Sequence, residues 1–360
     1  MKRGKFNIII GGQAGSEAKG KLSGFLCEQY KPDLLVMTAS PNAGHTVVTD
    51  EGVKKVSYHL PIGMVMCDAP VVLGPASLIN VVILEKEIHD LGVDPNRIMI
   101  DPRASIITPG HVASECNGRM SDIGSTLQGI GECRTGKMRR KDHYFVGDIW
   151  EELGAFGVQV GETTPIIHMH MSRGDRVLCE ATQGFDLDLE HGIDRRYCTS
   201  KMINTSMVAA EAGVPPSMVG EVYGVIRPYP IRVNNRTGSS GPYAEAEELS
   251  WGVVADRCGA PYGFEGEITT TTKLPRRVFE FCWSRFEAFL QVCRPTSLCL
   301  QFANYLNWSA FGAKYEDELR DNERVTGFIE QLEDETMEYG DARVDFVGTG
   351  PQQSQMVWRR

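Results

Sequence analysis

The short apolar run Phe6-Asn7-Ile8-Ile9-Ile10 passes directly into Gly11-Gly12-Gln13-Ala14-Gly15-Ser16-Glu17-Ala18-Lys19-Gly20-Lys21, and a helix-compatible stretch from Lys19 to Gln29 follows. A buried strand, a glycine-rich loop and a helix in that order make a phosphate-holding unit. Glycines let backbone N–H groups converge, and a helix N-terminus adds partial positive charge. Lys19 and Lys21 supply full charges. The stretch from Gly15 to Lys21 fits the spacing G-x-x-x-x-G-K, but Leu22 stands where a Walker A loop carries Ser or Thr for Mg²⁺. That disfavours a generic P-loop NTPase. The plainer alternative is a glycine-rich turn with surface lysines.

The same alternation continues. Leu34 to Met37, Val71 to Leu73, Arg176 to Glu180, Val219 to Ile226 and Ser297 to Phe302 read as buried strands, and Ala76 to Leu91 as a helix. Continuous apolar strands alternating with helices predict an α/β fold with a central, mostly parallel sheet flanked by helices. With no internal repeat or low-complexity linker, residues 1–360 read as a single large domain. The polar, glycine-rich and basic segment from Thr108 to Asp148 reads as a long functional insertion. Glu316 to Glu338 reads as an acidic, solvated outer helix.

A net charge of -10 argues against a nucleic-acid binder and requires any site for anionic substrates to be locally basic. Ten cysteines without a Cys-x-x-Cys pair predict reduced thiols in a cytoplasmic protein. No apolar stretch approaches the ~18 residues of a membrane span, and Lys2, Arg3 and Lys5 lead into too short a run for a signal peptide.

Other segments carry chemistry. Asn42-Ala43-Gly44-His45-Thr46 follows a strand, where open α/β sheets bind ligands. Gly44 permits close backbone approach, and His45 suits charge developing on a substrate oxygen. The glycine loop from Gly124 to Gly131 is followed by Arg134, Lys137, Arg139, Arg140 and Lys141, an anion site or else a solvated face. Thr269-Thr270-Thr271-Thr272-Lys273-Leu274-Pro275-Arg276-Arg277 suits a carboxylate or phosphate, or else a threonine-rich strand with a basic end. His168 and His170 read as neighbours on one face of a strand, structural because no third metal ligand lies nearby.

In order along the chain, the loop from Gly12 to Lys21, Asn42 to Thr46, Ser125-Thr126 with Gly129-Ile130-Gly131, Glu180 to Gly184, His191-Gly192, Thr199-Ser200, the Thr269 to Arg277 loop and Gly348-Thr349-Gly350-Pro351 resemble the adenylosuccinate synthetase family. The resemblance implies a Mg²⁺-dependent carbon–nitrogen ligase. In that family a nucleoside triphosphate phosphorylates O6 of a purine monophosphate, and the aspartate amine then displaces phosphate. It also implies a homodimer in which a basic residue, here Arg140, crosses into the partner's site. By the same resemblance, Ser16, Lys19 and His45 stand at catalytic positions, and Ser16 with the Gly44 carbonyl at the metal. Gly15, Ser16, Glu17, Ala18, Lys19, Gly20, Gly44, His45, Thr46, Asn304, Gly348, Thr349, Gly350 and Pro351 fall to the triphosphate. Ser16, Asn42, Ser125, Thr126, Arg140, Gln183, Thr199 and Leu274 fall to the monophosphate, and Thr270, Thr271, Thr272 and Arg276 to aspartate.

Three departures from the family pattern point one way. Ser16 replaces the Asp that serves as general base, leaving uncharged room beside C2 of the purine. Gln301-Phe302-Ala303-Asn304 replaces T-K-L-D, whose Asp selects guanine in the triphosphate. Leu274 replaces the Arg that approaches the ribose 2′-OH. Together they resemble the phage branch of the family, which implies dGMP, L-aspartate and ATP or dATP as substrates and N6-succino-2-amino-2′-deoxyadenylate as product, made in the host cytoplasm. Two alternatives stay open: an ordinary adenylosuccinate synthetase acting on IMP with GTP, and an inactive nucleotide-binding homologue.

Overall fold

The structure, a computed structural model, describes residues 1–117, 125–141, 143–234, 240–269 and 274–359. Its frame is a ten-stranded sheet. In chain order the strands are β1 (Lys5–Gly11), β2 (Leu34–Met37), β3 (Val71–Leu73), β4 (Ile98–Ile100), β5 (Gln159–Val160), β6 (Arg176–Gly184), β7 (Val219–Ile226), β8 (Ser297–Leu300), β9 (Arg343–Gly348) and β10 (Met356–Trp358). Their spatial order is β10-β9-β8-β7-β1-β6-β2-β3-β4-β5. Every pairing is parallel except β9 with β10, which is antiparallel.

Both faces of the sheet are covered. Successive side chains of a strand point to opposite faces. Phe6, Ile8 and Ile10 accordingly join one apolar cluster, with Phe289, Val325 and Ile329 among its members. Ile9 joins the other, with Leu22, Leu26, Leu35 and Met37. Asn7 is the polar exception inside β1. Its side chain donates to the Lys2, Lys5 and Val177 carbonyls and accepts from the Lys2 and Glu221 amides, so its burial leaves nothing unsatisfied.

Several elements differ from the sequence reading. Helix α1 spans Lys19–Tyr30 as expected. Helix α2 starts only at Val81, because Asn80 caps it by accepting from the Ile83 amide and Leu78–Ile79 is a short strand. The segment read as an insertion contains α3 (Pro109–Asn117) and α4 (Ile130–Arg139), and Ile130 and Cys133 share a small core with Leu78 and Ile107. The acidic stretch breaks into a short 3₁₀ turn, Glu316–Leu319, and a helix, Glu323–Thr336, whose Val325, Ile329 and Leu332 are buried. His168 and His170 lie on a helix, Thr163–Ser172, not a strand. Their rings bond separately to the Gly213 carbonyl and to Asp175, which fits the structural reading.

Strand β1 sits where the chain direction across the sheet switches, with β6 on one side and β7 on the other. Loops leaving the carboxyl ends of such strands diverge and open a crevice. Gly184 closes β6 there against the loop after β1. A methyl group on it would fall within contact distance of the Gln13 carbonyl, the Glu17 carboxylate and the Gly15 amide. Gly184→Ala is therefore expected to lose roughly 1–3 kcal/mol of stability in urea denaturation and to lose turnover with it.

Candidate active site

The loop after β1 is built around an inward-facing carboxylate. Glu17 is fully buried and does not reach the cleft. Its Oε1 accepts from the amides of Gln13 at 3.2 Å and Gly15 at 2.8 Å, and its Oε2 from Lys19 Nζ at 2.9 Å. Gly15, Ser16 and Ala18 adopt positive φ of 90°, 59° and 65°. For Ser16 and Ala18 that conformation costs about 1–3 kcal/mol each, strain of the kind concentrated at ligand clamps. Ala18 precedes α1 without a side-chain cap, so the first amides of the helix are left for an anion.

Lys19 and Lys21 separate in role. Lys19 lines the cleft beside Glu17. Lys21, read from sequence as a phosphate cation, instead donates from Nζ to the carbonyls of Gly350 and Gln355, both at 2.5 Å. Burial pushes its pKa from the ordinary 10.5 down to about 7. It joins the loop after β1 to the C-terminal loop beyond β9.

The loop after β2 delivers His45, which opens a two-stranded hairpin, His45–Val48 with Lys54–Ser57. Its Nδ1 is bonded to the carboxylate of Glu180 on β6, and that carboxylate is buried. The pairing sets the ring's orientation and leaves Nε2 for the cleft. Asn42 Oδ1 accepts from Gln183 Nε2 at 2.9 Å, and Gln183 itself holds a positive φ of 67°.

These residues share a cleft of about 640 Å³. Gly15, Ser16, Ala18, Lys19, Gly20, Asn42, Gly44, His45 and Thr46 line it, together with Ser125, Thr126, Gln183, Thr199, Arg276, Asn304, Gly350 and Pro351. Among the other positions expected there, Gly348 packs under Gln301, and Thr349 is buried with its hydroxyl on the Ala313 and Gln355 carbonyls. Both support the loop that presents Gly350 and Pro351. Arg140 follows α4 on the exposed surface, away from the lining of the cleft. Leu274 is not in the lining and pairs with Thr269 through backbone and hydroxyl. Thr270, Thr271 and Thr272 lie outside the described residues.

The sequence reading did not single out four supporting side chains. Glu180 is an acid inside an apolar strand. Glu115 of α3 accepts from the Gly129 and Gly131 amides at 2.8 and 2.7 Å and so holds the start of α4 beside the cleft. Arg227 is fully buried just past β7. It donates to the Ser16 carbonyl at 3.1 Å, pairs with Glu267, and lies 4.1 Å over the Phe302 ring. Glu267 is pushed up by burial, but the Arg227 guanidinium outweighs that and holds its carboxyl below the usual range. It also lies 3.7 Å from Arg276, whose own pKa burial lowers. For Glu180 an acid within an otherwise apolar strand was the only signal, and it names no partner; Glu115, Arg227 and Glu267 lie outside the strands and carried no such signal.

A sequence model described as adenylosuccinate synthetase matches residues 8–156 and 148–307. The chain belongs to the adenylosuccinate synthetase family. Within this family of carbon–nitrogen ligases it is 35% identical over 324 residues to the N6-succino-2-amino-2′-deoxyadenylate synthase of Salmonella phage PMBT28, covering 84% of this chain and 86% of that one. It is 30% identical over 358 residues to the adenylosuccinate synthetase of Methanococcus vannielii, covering 97% of each. Its fold matches the cyanophage S-2L succinoaminodeoxyadenylate synthetase bound to dGMP and dATP, with a TM-score of 0.81, 29% identity and coverage of 98% and 95%.

Glu180→Gln should keep the fold but remove the negative charge that fixes the tautomer and orientation of His45, lowering kcat by roughly 10²-fold with little change in nucleotide KM; an unchanged kcat would show that this pairing is not used. Above about pH 7 the folded chain has released a proton from Lys21 that the unfolded chain keeps up to 10.5, so this group makes stability rise with pH across that window. In urea denaturation the stability of the wild type relative to Lys21→Met should grow between about pH 7 and pH 9.

Proposed function

We propose that this chain joins L-aspartate to C6 of dGMP with ATP or dATP as phosphoryl donor, giving N6-succino-2-amino-2′-deoxyadenylate. Ser16 carries the reading. It stands, exposed in the cleft and uncharged, at the position of the family's general-base Asp, and it leaves space where a purine 2-amino group would lie. The phage relative and the cyanophage enzyme bound to dGMP and dATP support the same substrates.

In this reading the loop from Gly15 to Gly20, through the amides that follow the one Glu17 holds, and the Lys19 ammonium hold the transferred phosphoryl group. His45, oriented by Glu180, stabilises charge on O6. The aspartate amine then attacks C6, the C6–O bond breaks, and phosphate leaves. Asn42, Ser125, Thr126, Gln183 and Thr199 position the monophosphate; Leu274, outside the lining, contributes by leaving no arginine there to meet a 2′-hydroxyl. Thr270 to Thr272 and Arg276 take the carboxylates of aspartate, where the buried, unpaired Arg276 Nη1 is a ready donor. Ser16 orients the base and relays the N1 proton through water. Phosphoryl transfer rests on positioning and electrostatics, so a weak base at this point is compatible with turnover.

Mg²⁺ belongs to the reading. Among the described residues no cluster of three acidic, imidazole or thiol groups competes for a metal. The Ser16 hydroxyl and the Gly44 carbonyl are hard oxygens that fit an ion held mostly by phosphates and water. When bound, the ion neutralises phosphate charge. The reading also includes a homodimer in which the exposed Arg140 reaches the partner's nucleotide phosphate, with residues 1–360 acting as one catalytic unit. Among the described residues no helix is long and apolar enough to cross a membrane.

The archaeal relative keeps a second reading in view, IMP with GTP. Product mass after incubation with dGMP, aspartate and ATP separates them: the succino-2-aminodeoxyadenylate is expected, and brisk IMP turnover with none on dGMP would overturn the proposal. Absence of phosphate release with either substrate set would favour an inactive homologue. Ser16→Asp should reduce kcat/KM for dGMP, by crowding the 2-amino group, more than it reduces that for IMP.

A further inference from the structure

The cleft carries an aromatic pair that none of these roles uses. Trp308 and Phe311 stack with ring centroids 5.0 Å apart and planes 5° from parallel. Both line the cleft, on the side of Asn304, Gly350 and Pro351. Phe264 packs edge-on against Trp308. Phe311 is 44% exposed, so part of its ring is open to the cleft.

The pair is rigidly built. Asn307 caps the turn by accepting from the Ser309 amide, and the Phe311 amide donates to the Trp308 carbonyl. The Gly312 amide donates to the Thr349 carbonyl at 3.2 Å, and the Thr349 hydroxyl to the Ala313 carbonyl at 2.6 Å. The aromatic turn and the Gly350-Pro351 loop are thus one body. Lys21 ties that body to the first turn of α1 through the Gly350 carbonyl.

We propose that the exposed face of the Phe311–Trp308 stack is a ledge on which the purine of the triphosphate donor lies. This rests on the donor end of the cleft assigned above. A flat, preformed apolar face offers stacking energy to any purine at little ordering cost, since its rings are already fixed. Stacking is tolerant of base identity, so the ledge supplies affinity while the buried Asn304, with a donor and an acceptor, supplies selection.

The test uses the full chain and compares ATP with inorganic tripolyphosphate, which lacks the base. Phe311→Ala should weaken ATP binding in calorimetry roughly 5- to 100-fold and leave tripolyphosphate binding unmoved. Phe311→Tyr should restore ATP binding, and Phe311→Leu should not. ATP should also quench tryptophan fluorescence, and Trp308→Phe should remove that quench. An unchanged ATP affinity in Phe311→Ala overturns the ledge, as does equal weakening of both ligands, which would mean a distorted loop. The two proposals fail separately. Normal product formation with an unmoved ATP affinity removes only the ledge. Selective loss of ATP binding in a chain that makes no product from dGMP removes only the substrate assignment.

Discussion

The buried carboxylate of Glu17 is the constraint on which the site depends. A lone charge in that position would be costly, and an ion pair with Lys19 alone would not offset its desolvation. Two backbone amides complete its shell, and those bonds pull Gln13 and Gly15 into the curve that turns the following amides outward. The positive φ values at Ser16 and Ala18 persist because this shell over-determines them. Gly184, pressed against the same atoms from β6, makes the arrangement part of the sheet and not a property of the loop alone.

From that loop two connections run across the sheet. Arg227, beyond β7, holds the Ser16 carbonyl with one side of its guanidinium and rests on Phe302 with its face. Glu267 pairs with the same guanidinium and reaches toward Arg276. A residue at the reacting end of the cleft is thereby coupled to the wall that carries Asn304. Lys21 makes the second connection, to the loop of Gly350 and Pro351. Glu180 plays the matching part from β6, holding His45. In each case a buried ionisable group, on β6, just past β7 or in the first turn of α1, holds a group on a loop, an arrangement that preorganises the site.

The central strands were legible from the chain alone because residues buried on both faces leave continuous apolar runs. Leu34–Met37, Val71–Leu73 and Val219–Ile226 begin and end where those runs do. Helix starts were less legible, because Asn80 and Asn322 each cap through a single bond from a backbone amide and move the boundary by several residues. The pair His168 and His170 misled for a related reason: alternation over three residues does not distinguish a strand from a helical turn. Of the site, the glycine loops and polar motifs that face ligand were visible. Lys21 lines the cleft, but its tie was not visible, since its charge is evident in sequence while the two carbonyls that hold it come from residues more than 300 positions away.

The sequence by itself determined the α/β class, the family, and the uncharged Ser16 and Asn304 where that family carries acids, because these depend on local patterning and on side-chain chemistry at motif positions. Only the tertiary structure decided which residues face the cleft and which hold those that do. Glu17, Thr349 and Gly348 lie in motifs yet point away from the cleft, whereas Glu180, Glu115, Arg227, Phe311 and Trp308 lie outside the expected set yet shape it. The physical reason is burial. A carboxylate, guanidinium or phenyl ring takes its role from the partners that replace water around it, and those partners are assembled from distant strands when the sheet forms.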